Sequence, residues 1–267
     1  MNSLSVVIIT RNEEHNIVDC IRSAKLVTDD IIVVDAKSSD ETVHLATASG
    51  AKVFLVQWEG YGASRNFGAA KVKNNWILAL DADERISDEL ASSIHQLKFD
   101  DTNRIYKFRR KNFLGKRKIQ FGTLGFETVK RIYNRKHAQW DLTRVHEKLI
   151  SNAAAVKKMI SGHIDHFGLK NEEDYKAKSI LYAQMSAEKY LLQNKKAPLA
   201  KRYFSPVFNS LKSYIFQLGF LDGYTGWISA KTIAYYSWLK YFYLHQLLKA
   251  WKIKEIGFSP KPKVERA

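Results

Sequence analysis

The nine residues Trp76-Ile77-Leu78-Ala79-Leu80-Asp81-Ala82-Asp83-Glu84 constrain the fold of this chain more than any other stretch. The run opens as an unbroken apolar segment. That is the pattern of a strand buried on both faces, and such strands belong to parallel sheets covered by helices. It closes on two aspartates at i and i+2, which an extended backbone turns to the same side. Ligands of open α/β sheets bind outside the carboxyl ends of the strands. Two carboxylates placed there suit a hard divalent cation that keeps positions open for phosphate oxygens. The competing reading is a solvated strand-to-helix loop in which Ser87 or Asp88 caps the next helix.

The preceding residues favour the first reading. Leu4 to Thr10 is a β-branched apolar run that stops at Arg11-Asn12-Glu13. Ile17, Cys20, Ile21 and Ala24 then recur at helical spacing, which predicts a helix over about 14–25 with Asn12 as its cap. Ile31 to Val34 is a second strand ending at Asp35. A helix over about 41–49 stops at Gly50, and Lys52 to Val56 is a third strand. Helices over about 63–73 and 88–97 flank the strand at 76–81. Alternating β and α with short connections is the signature of a parallel, doubly wound sheet. Tyr106-Lys107-Phe108-Arg109 and Lys130-Arg131-Ile132-Tyr133 read as strands with one solvated face, separated by a basic loop over 111–125.

With 267 residues the chain can bury a full core, and its one cysteine, Cys20, excludes an internal disulfide framework. No secretory leader pattern is visible, and no uncharged apolar run approaches the ~18–20 residues that span a bilayer. The formal charge of +16 is unevenly placed. Residues 1–100 hold 10 Lys and Arg against 15 Asp and Glu, and residues 101–267 hold 33 against 12. A chain basic in one part only has an anionic partner there, whether nucleic acid, anionic lipid or phosphorylated glycan.

Strand ends carrying Asn12-Glu13, Asp35 and Asp81/Asp83 open on one edge of the sheet. A cluster of carboxylates repels phosphate unless a cation stands between them, whereas a carboxylate such as Asp35 serves an imide N–H well. Neither G-x-x-x-x-G-K-[ST] nor a G-x-G-x-x-G after the first strand is present, which disfavours P-loop and dinucleotide enzymes. Sugar-nucleotide transfer fits best.

Ser5 to Glu13, Val33 to Thr42 and Ala79 to Glu84, in that order and spacing, resemble the GT-A glycosyltransferases of family 2 over roughly residues 3–150. One departure is Ala36-Lys37, where relatives usually carry Ser-Gly. Tyr61-Gly62-Ala63-Ser64-Arg65-Asn66 and Val145-His146-Glu147 resemble the branch of β-glucosyltransferases that builds the lipopolysaccharide inner core. The resemblance implies a GT-A, Rossmann-like, mostly parallel sheet with flanking helices. It also implies that Thr10, Asn12, Glu13 and Asp35 hold uridine. Asp83, with Asp81 near the ribose or metal, would anchor the diphosphate through Mg²⁺ or Mn²⁺. Arg65 either reaches the diphosphate or is a surface helix arginine. An inverting transfer needs a general base for the acceptor hydroxyl. Glu147 is the candidate, Asp141 the competitor, and a charge on a solvated strand the bland alternative. His163 and His166 are i, i+3. Since some GT-A enzymes use a late histidine as a third metal ligand, His166 is the candidate.

Beyond about residue 168 the sequence turns helical, basic and aromatic. A charged amphipathic helix is expected over 172–196, and Pro198 and Pro206 interrupt the pattern that follows. From Tyr203 to Trp251 there are 15 aromatics interleaved with lysines, a mixture suited to a membrane interface. The expected organisation is a nucleotide-sugar and acceptor domain over 1–168, a membrane-associating helical extension over 169–258 and a polar tail over 259–267. The expected partners are a UDP-sugar donor, most simply UDP-glucose, and an anionic glycolipid acceptor with basic charge from Lys107 to Lys118. Both would meet at the inner face of the cytoplasmic membrane. A nucleotidyltransferase is the enzymatic alternative. A nucleic-acid-binding module is the third reading, although no nucleic-acid motif is present and the acidic first half opposes a polyanion.

Overall fold

The structure is a computed structural model, and it describes residues 4–143, 147–151, 155–196 and 198–257. Three parallel strands, β1 (Leu4–Thr10), β2 (Ile31–Asp35) and β3 (Lys52–Leu55), alternate with α1 (Ile17–Ala24), α2 (Thr42–Ala48) and α3 (Tyr61–Lys71). β4 (Trp76–Asp81) then pairs in parallel with the other side of β1. After it come β5 (Glu84–Ile86), α4 (Asp88–His95), β6 (Arg104–Leu114), β7 (Arg117–Lys118), the single turn α5 (Gly122–Gly125), β8 (Glu127–Asn134), β9 (Ala138–Trp140), β10 (Leu149–Ser151) and β11 (Val156–Leu169). Among the described residues the main sheet runs β3-β2-β1-β4-β8-β6-β11-β5, with β7 beside β6; β8 is antiparallel to both β4 and β6.

The continuous apolar runs behave as expected of a sheet covered on both sides. Leu4, Val6 and Ile8 pack with α1 and α4, whereas Val7 and Ile9 pack with Ala69 of α3 and with Trp140. Each such fully buried Leu or Ile contributes about 1.5–3 kcal/mol of transfer free energy. Gly68 permits the α3 contact, because a Cβ there would lie 2.9 Å from Val34 Cγ2.

Several local expectations are corrected. α1 starts at Ile17, with Asn16 at its N-cap position, because the Glu13 carbonyl draws in the N–H groups of Asn16 and Ile17 as a preceding turn. Asn12 is not its cap. It sits at φ +54° and accepts from the Ser39 N–H at 2.8 Å. Ser87 does cap α4, accepting from the Leu90 N–H at 3.2 Å. The loop over 111–125 contains β7 and α5, and the 14-residue strand β11 was not foreseen.

The C-terminal part is helical: α6 (Glu172–Leu192), α7 (Leu199–Leu211), a π-turn over Lys212–Phe216, a 3₁₀ turn over Gly219–Asp222 and α8 (Tyr224–Gly257). Asn171 caps α6, accepting from the Asp174 N–H at 2.8 Å, and three acidic residues occupy the first turn, where the helix dipole favours them. Pro206 does not interrupt α7: it lies within the helix span and is buried. Ala187, Tyr241 and Leu244 form the buried seam between α6 and α8. No helix among the described residues is long and apolar enough to cross a membrane. His146 and the tail from 258 onward lie outside the described residues.

Candidate active site

Parallel pairing lines up three strand ends. Thr10 is in register with Asp35 on one side of β1, and Ile9 with Asp81 on the other. The carboxylates of Asp35 and Asp81 therefore share one edge of the sheet. A cleft of about 1350 Å³ opens there, lined on the sheet side by Thr10, Glu13, Arg65, Asp81, Asp83, Arg131 and Glu147. Its far wall is helical: Tyr175, Lys178, Tyr182 and Met185 of α6, and Thr232, Ile233 and Tyr236 of α8. The helical segment thus completes the cleft.

Asp81 ends β4, and Asp83 lies in the turn before β5, so the pair does not share the extended geometry that i, i+2 spacing suggested. Each has its own partners. Arg65 Nη2 donates to Asp81 Oδ1 at 2.5 Å, and Arg131 Nη2 donates to Asp81 Oδ2 at 2.8 Å. Burial alone would raise the Asp81 carboxyl, but the two guanidinium groups hold it far below the ordinary carboxylate range. Asp83 Oδ2 faces His166 Nε2 at 3.5 Å, and the other ring nitrogen of His166 is 2.7 Å from Asn112 Oδ1. Burial opposes charge on both members of the Asp83–His166 pair. Their mutual attraction outweighs it, lowering the Asp83 pKa and raising that of His166.

These two residues fit a divalent cation. Asp83 Oδ1 is buried without a hydrogen-bond partner. A Cβ on Gly168 would lie 2.6 Å from His166 Nε2 and 2.9 Å from Asp83 Oδ2, so glycine at this position keeps the space before both atoms clear. Among the described residues no group of three His, Cys, Asp or Glu side chains converges on a metal position. The remaining ligands of such an ion would be phosphate oxygens and water.

Arg65 is 2% exposed and reaches two carboxylates, Asp81 through Nη2 and Glu147 through Nη1. It is not a surface helix arginine. Its guanidinium also lies 4.6 Å above the Trp140 ring. The next residue, Asn66, clamps the backbone of Trp140 in both directions: its Nδ2 donates to the Trp140 carbonyl at 2.8 Å, and its Oδ1 accepts from the Trp140 N–H at 2.9 Å. One turn of α3 therefore grips both the carboxylate of Glu147 and the β9–β10 hairpin beside it. Asp141, the competing base, accepts from the Thr143 hydroxyl at 2.6 Å and is absent from the cleft lining.

At the β1 end of the cleft, Thr10 and Glu13 line it, and Thr10 Oγ1 is buried without a partner. Burial raises the Glu13 pKa, and the nearby Asp83 adds to the effect against a bond from Asn16. Asp35 is fully buried. Its oxygens accept from the N–H (2.7 Å) and hydroxyl (2.5 Å) of Ser38, so it ties the turn after β2. In that turn Lys37 stands at φ +58°, the left-handed region that a glycine enters without strain.

Three residues escaped the sequence reading. Arg131, expected on a solvated face, is 5% exposed and bonds both Asp81 and Glu84. Glu84 is fully buried, accepts from the Asp81 N–H at 2.9 Å and lies 3.4 Å from Arg110. Arg110 in turn pairs with Glu127 at 2.7 Å, so it serves this network rather than standing free for an acceptor. The signal was a balance: two buried carboxylates at one strand end need cations from its neighbours. Of the basic residues expected to serve the acceptor over 107–118, only Arg110 lines the cleft; the lysines there are Lys130, Lys148 and Lys178. A side pocket of about 270 Å³ shares Lys148 and Tyr236 with the cleft and adds Lys189 and Lys195.

Residues 5–164 match the family model described as glycosyl transferase family 2. The chain belongs to that family. This family 2 glycosyltransferase is 29% identical to an uncharacterized glycosyltransferase of Rickettsia typhi over 257 residues, covering 92% of this chain and 88% of the relative. It is 26% identical to the lipopolysaccharide core biosynthesis glycosyltransferase LpsC of Rhizobium meliloti, covering 88% and 89%. Among solved structures it overlaps glucosyl-3-phosphoglycerate synthase from Mycobacterium tuberculosis, crystallised with Mn²⁺, UDP and glucosyl-3-phosphoglycerate. That match covers 41% of this chain and 44% of the other, at 24% identity and a TM-score of 0.33.

Proposed function

We propose that this family 2 glycosyltransferase is an inverting enzyme that moves a sugar, glucose in the simplest case, from a UDP-sugar to an anionic lipid-linked glycan of the lipopolysaccharide-core type. One observation carries the reading: a single cleft holds a carboxylate suited to a general base, Glu147, together with the Asp83–His166 pair that fits a diphosphate-bound cation. Thr10 and Glu13 flank the uridine, with Asn12 and Asp35 shaping the loop beside it. Asp83 and His166 would hold Mg²⁺ or Mn²⁺, whose chemistry there is to neutralise the leaving diphosphate. Asp81 sits next to them and holds Arg65 and Arg131 in place.

The acceptor hydroxyl attacks the anomeric carbon from the side opposite the diphosphate, and a Glu147 carboxylate oxygen takes its proton. Arg65 fixes that carboxylate and, from the cleft lining, adds positive charge for the departing phosphates. The helical wall from α6 and α8 excludes water from the sugar. Lys130, Lys148 and the pocket formed with Lys189 and Lys195 suit an acceptor bearing phosphate. The likeness to LpsC supports a core-type acceptor, and a lipid-linked acceptor places the enzyme on the cytoplasmic face of a membrane.

The test is a hydrolysis screen of nucleotide sugars with Mg²⁺ or Mn²⁺, since slow donor hydrolysis needs no acceptor. UDP release from a UDP-sugar, abolished by chelation, is the expected result. Release of pyrophosphate from a nucleoside triphosphate would replace this reading with nucleotidyl transfer.

A further inference from the structure

α7 is an amphipathic helix facing the wrong way for a soluble domain. Phe204, Val207, Phe208 and Leu211 point outward, and the stripe continues through Ile215 and Phe216 of the π-turn. Phe204 is 75% and Phe216 79% exposed. The face turned to α8 is small or polar instead. Pro206 and Ser213 are buried, and Asn209 donates to Ser237 Oγ at 2.9 Å. Isolated exposed apolar side chains are ordinary, but a continuous helical stripe of them marks a surface that something else covers.

The charge around the stripe says what covers it. Between Glu188 and Glu255 the sequence has 11 Lys and Arg and a single acid, Asp222. Asp222 Oδ2 accepts from the N–H groups of Gln120 (2.9 Å) and Phe121 (2.8 Å), so its carboxylate is turned to the β7–α5 connection. Lys201, one turn before the stripe, and Lys212, within its length, are both exposed beside it. An apolar band edged by lysines, whose long stems let the ammonium groups rise to a polar layer, matches the interface of an anionic bilayer. A second copy of so basic a segment would be repelled.

We propose that the face running from α7 through the π-turn is an in-plane docking surface for an anionic lipid bilayer, with Phe204, Phe208 and Phe216 entering the acyl boundary and Lys201 and Lys212 meeting the headgroups. The segment is fastened to the cleft. Ser213 Oγ accepts from the Thr123 N–H at 3.1 Å, and the Gln217 carbonyl from the Gly122 N–H at 2.9 Å, while the adjoining Leu124 lines the cleft. Docking through α7 thereby holds the cleft mouth near the bilayer. The purpose of the face rests on the proposed lipid-linked acceptor, whereas the face itself rests on the exposed stripe and its charge.

The experiment is flotation of the full chain with phosphatidylcholine vesicles, with and without phosphatidylglycerol. The wild type is expected to float with the anionic vesicles. F204S/F208S/F216S loses about tenfold or more of that binding, since each removed ring takes a large apolar area out of the acyl boundary. K201E/K212E loses the preference for phosphatidylglycerol. Both variants keep the wild-type circular dichroism spectrum and donor hydrolysis. A protein that hydrolyses a UDP-sugar but floats with neither vesicle overturns the docking face and leaves the transfer reading standing. One that floats through these residues yet hydrolyses no donor does the reverse. Unchanged flotation of F204S/F208S/F216S overturns the proposal. So does a dimer in sedimentation velocity that this variant abolishes, because the occupant would then be a second copy.

Discussion

Arg65 joins Asp81 to Glu147: one guanidinium, 2% exposed, bonds both carboxylates. Removing this buried cation leaves Glu147 without its paired charge and Asp81 with Arg131 alone, a change that costs about 3–5 kcal/mol. Arg65→Met is expected to lower the urea midpoint by that amount of stability and to abolish turnover. Glu147→Gln keeps the hydrogen bond from Arg65 and most of the stability. It should retain UDP affinity, measured by calorimetry, while transfer falls by about 10²–10⁴. Turnover near wild type in Glu147→Gln would remove it as the base.

Gly168 is expected to control metal use without touching substrate. An added Cβ falls within 3 Å of both His166 Nε2 and Asp83 Oδ2. Gly168→Ala should weaken Mn²⁺-dependent UDP binding by about 10–100-fold, the range typical of disturbed ligand support, with little loss of secondary structure. Unaltered affinity would argue against a cation between those two atoms.

Glu127 gives a pH test of the buried charge network. Burial alone would raise its carboxyl, but Arg110 and an Asn112 bond at 3.0 Å together lower it. A depressed folded-state pKa contributes stability that is present above the unfolded value of about 4.3 and lost as pH falls through the folded one. Urea titrations from neutral pH down through that window should therefore show a shallower acid decline for Glu127→Gln than for wild type. Parallel profiles would mean that Arg110 does not stabilise the carboxylate.

Lys148 is common to the cleft and to the lysine-lined side pocket. Lys148→Glu should leave UDP-sugar hydrolysis within about twofold and raise the KM for a phosphorylated acceptor about tenfold, the loss of one charge-assisted contact. Equal effects on donor hydrolysis and transfer would place Lys148 on the donor instead.

The strand ends were legible because parallel strands buried on both faces leave continuous apolar runs, and each run in the first hundred residues stops at the polar residue that reaches the edge. β1, β2 and β4 illustrate this, with Thr10, Asp35 and Asp81 as their last residues. The arginines were not legible. In Lys130-Arg131-Ile132-Tyr133 alternation says only that neighbours face opposite ways. Both border the cleft, but Lys130 is exposed and Arg131 is buried against Asp81, a difference set by β4 alongside rather than by β8 itself. The inverted face of α7 escaped for a related reason. Periodicity reveals an apolar stripe but not which way the helix is rolled, and the exposed apolar surface of the aromatic tail is concentrated on α7 and the turns after it. Ile228, Leu239 and Leu244 of α8 are buried within the protein.

Asn66 holds the Trp140 backbone through both of its amide atoms. The hairpin leading to Glu147 is thus moored to the same helix that supplies Arg65, and any sideways slip of that mooring carries the Glu147 carboxylate with it. Enzymes of this build can be tuned in rate from a side chain that never meets sugar, nucleotide or metal. An asparagine seated in a helix interior, against its own conformational preference, is where such tuning has its handle.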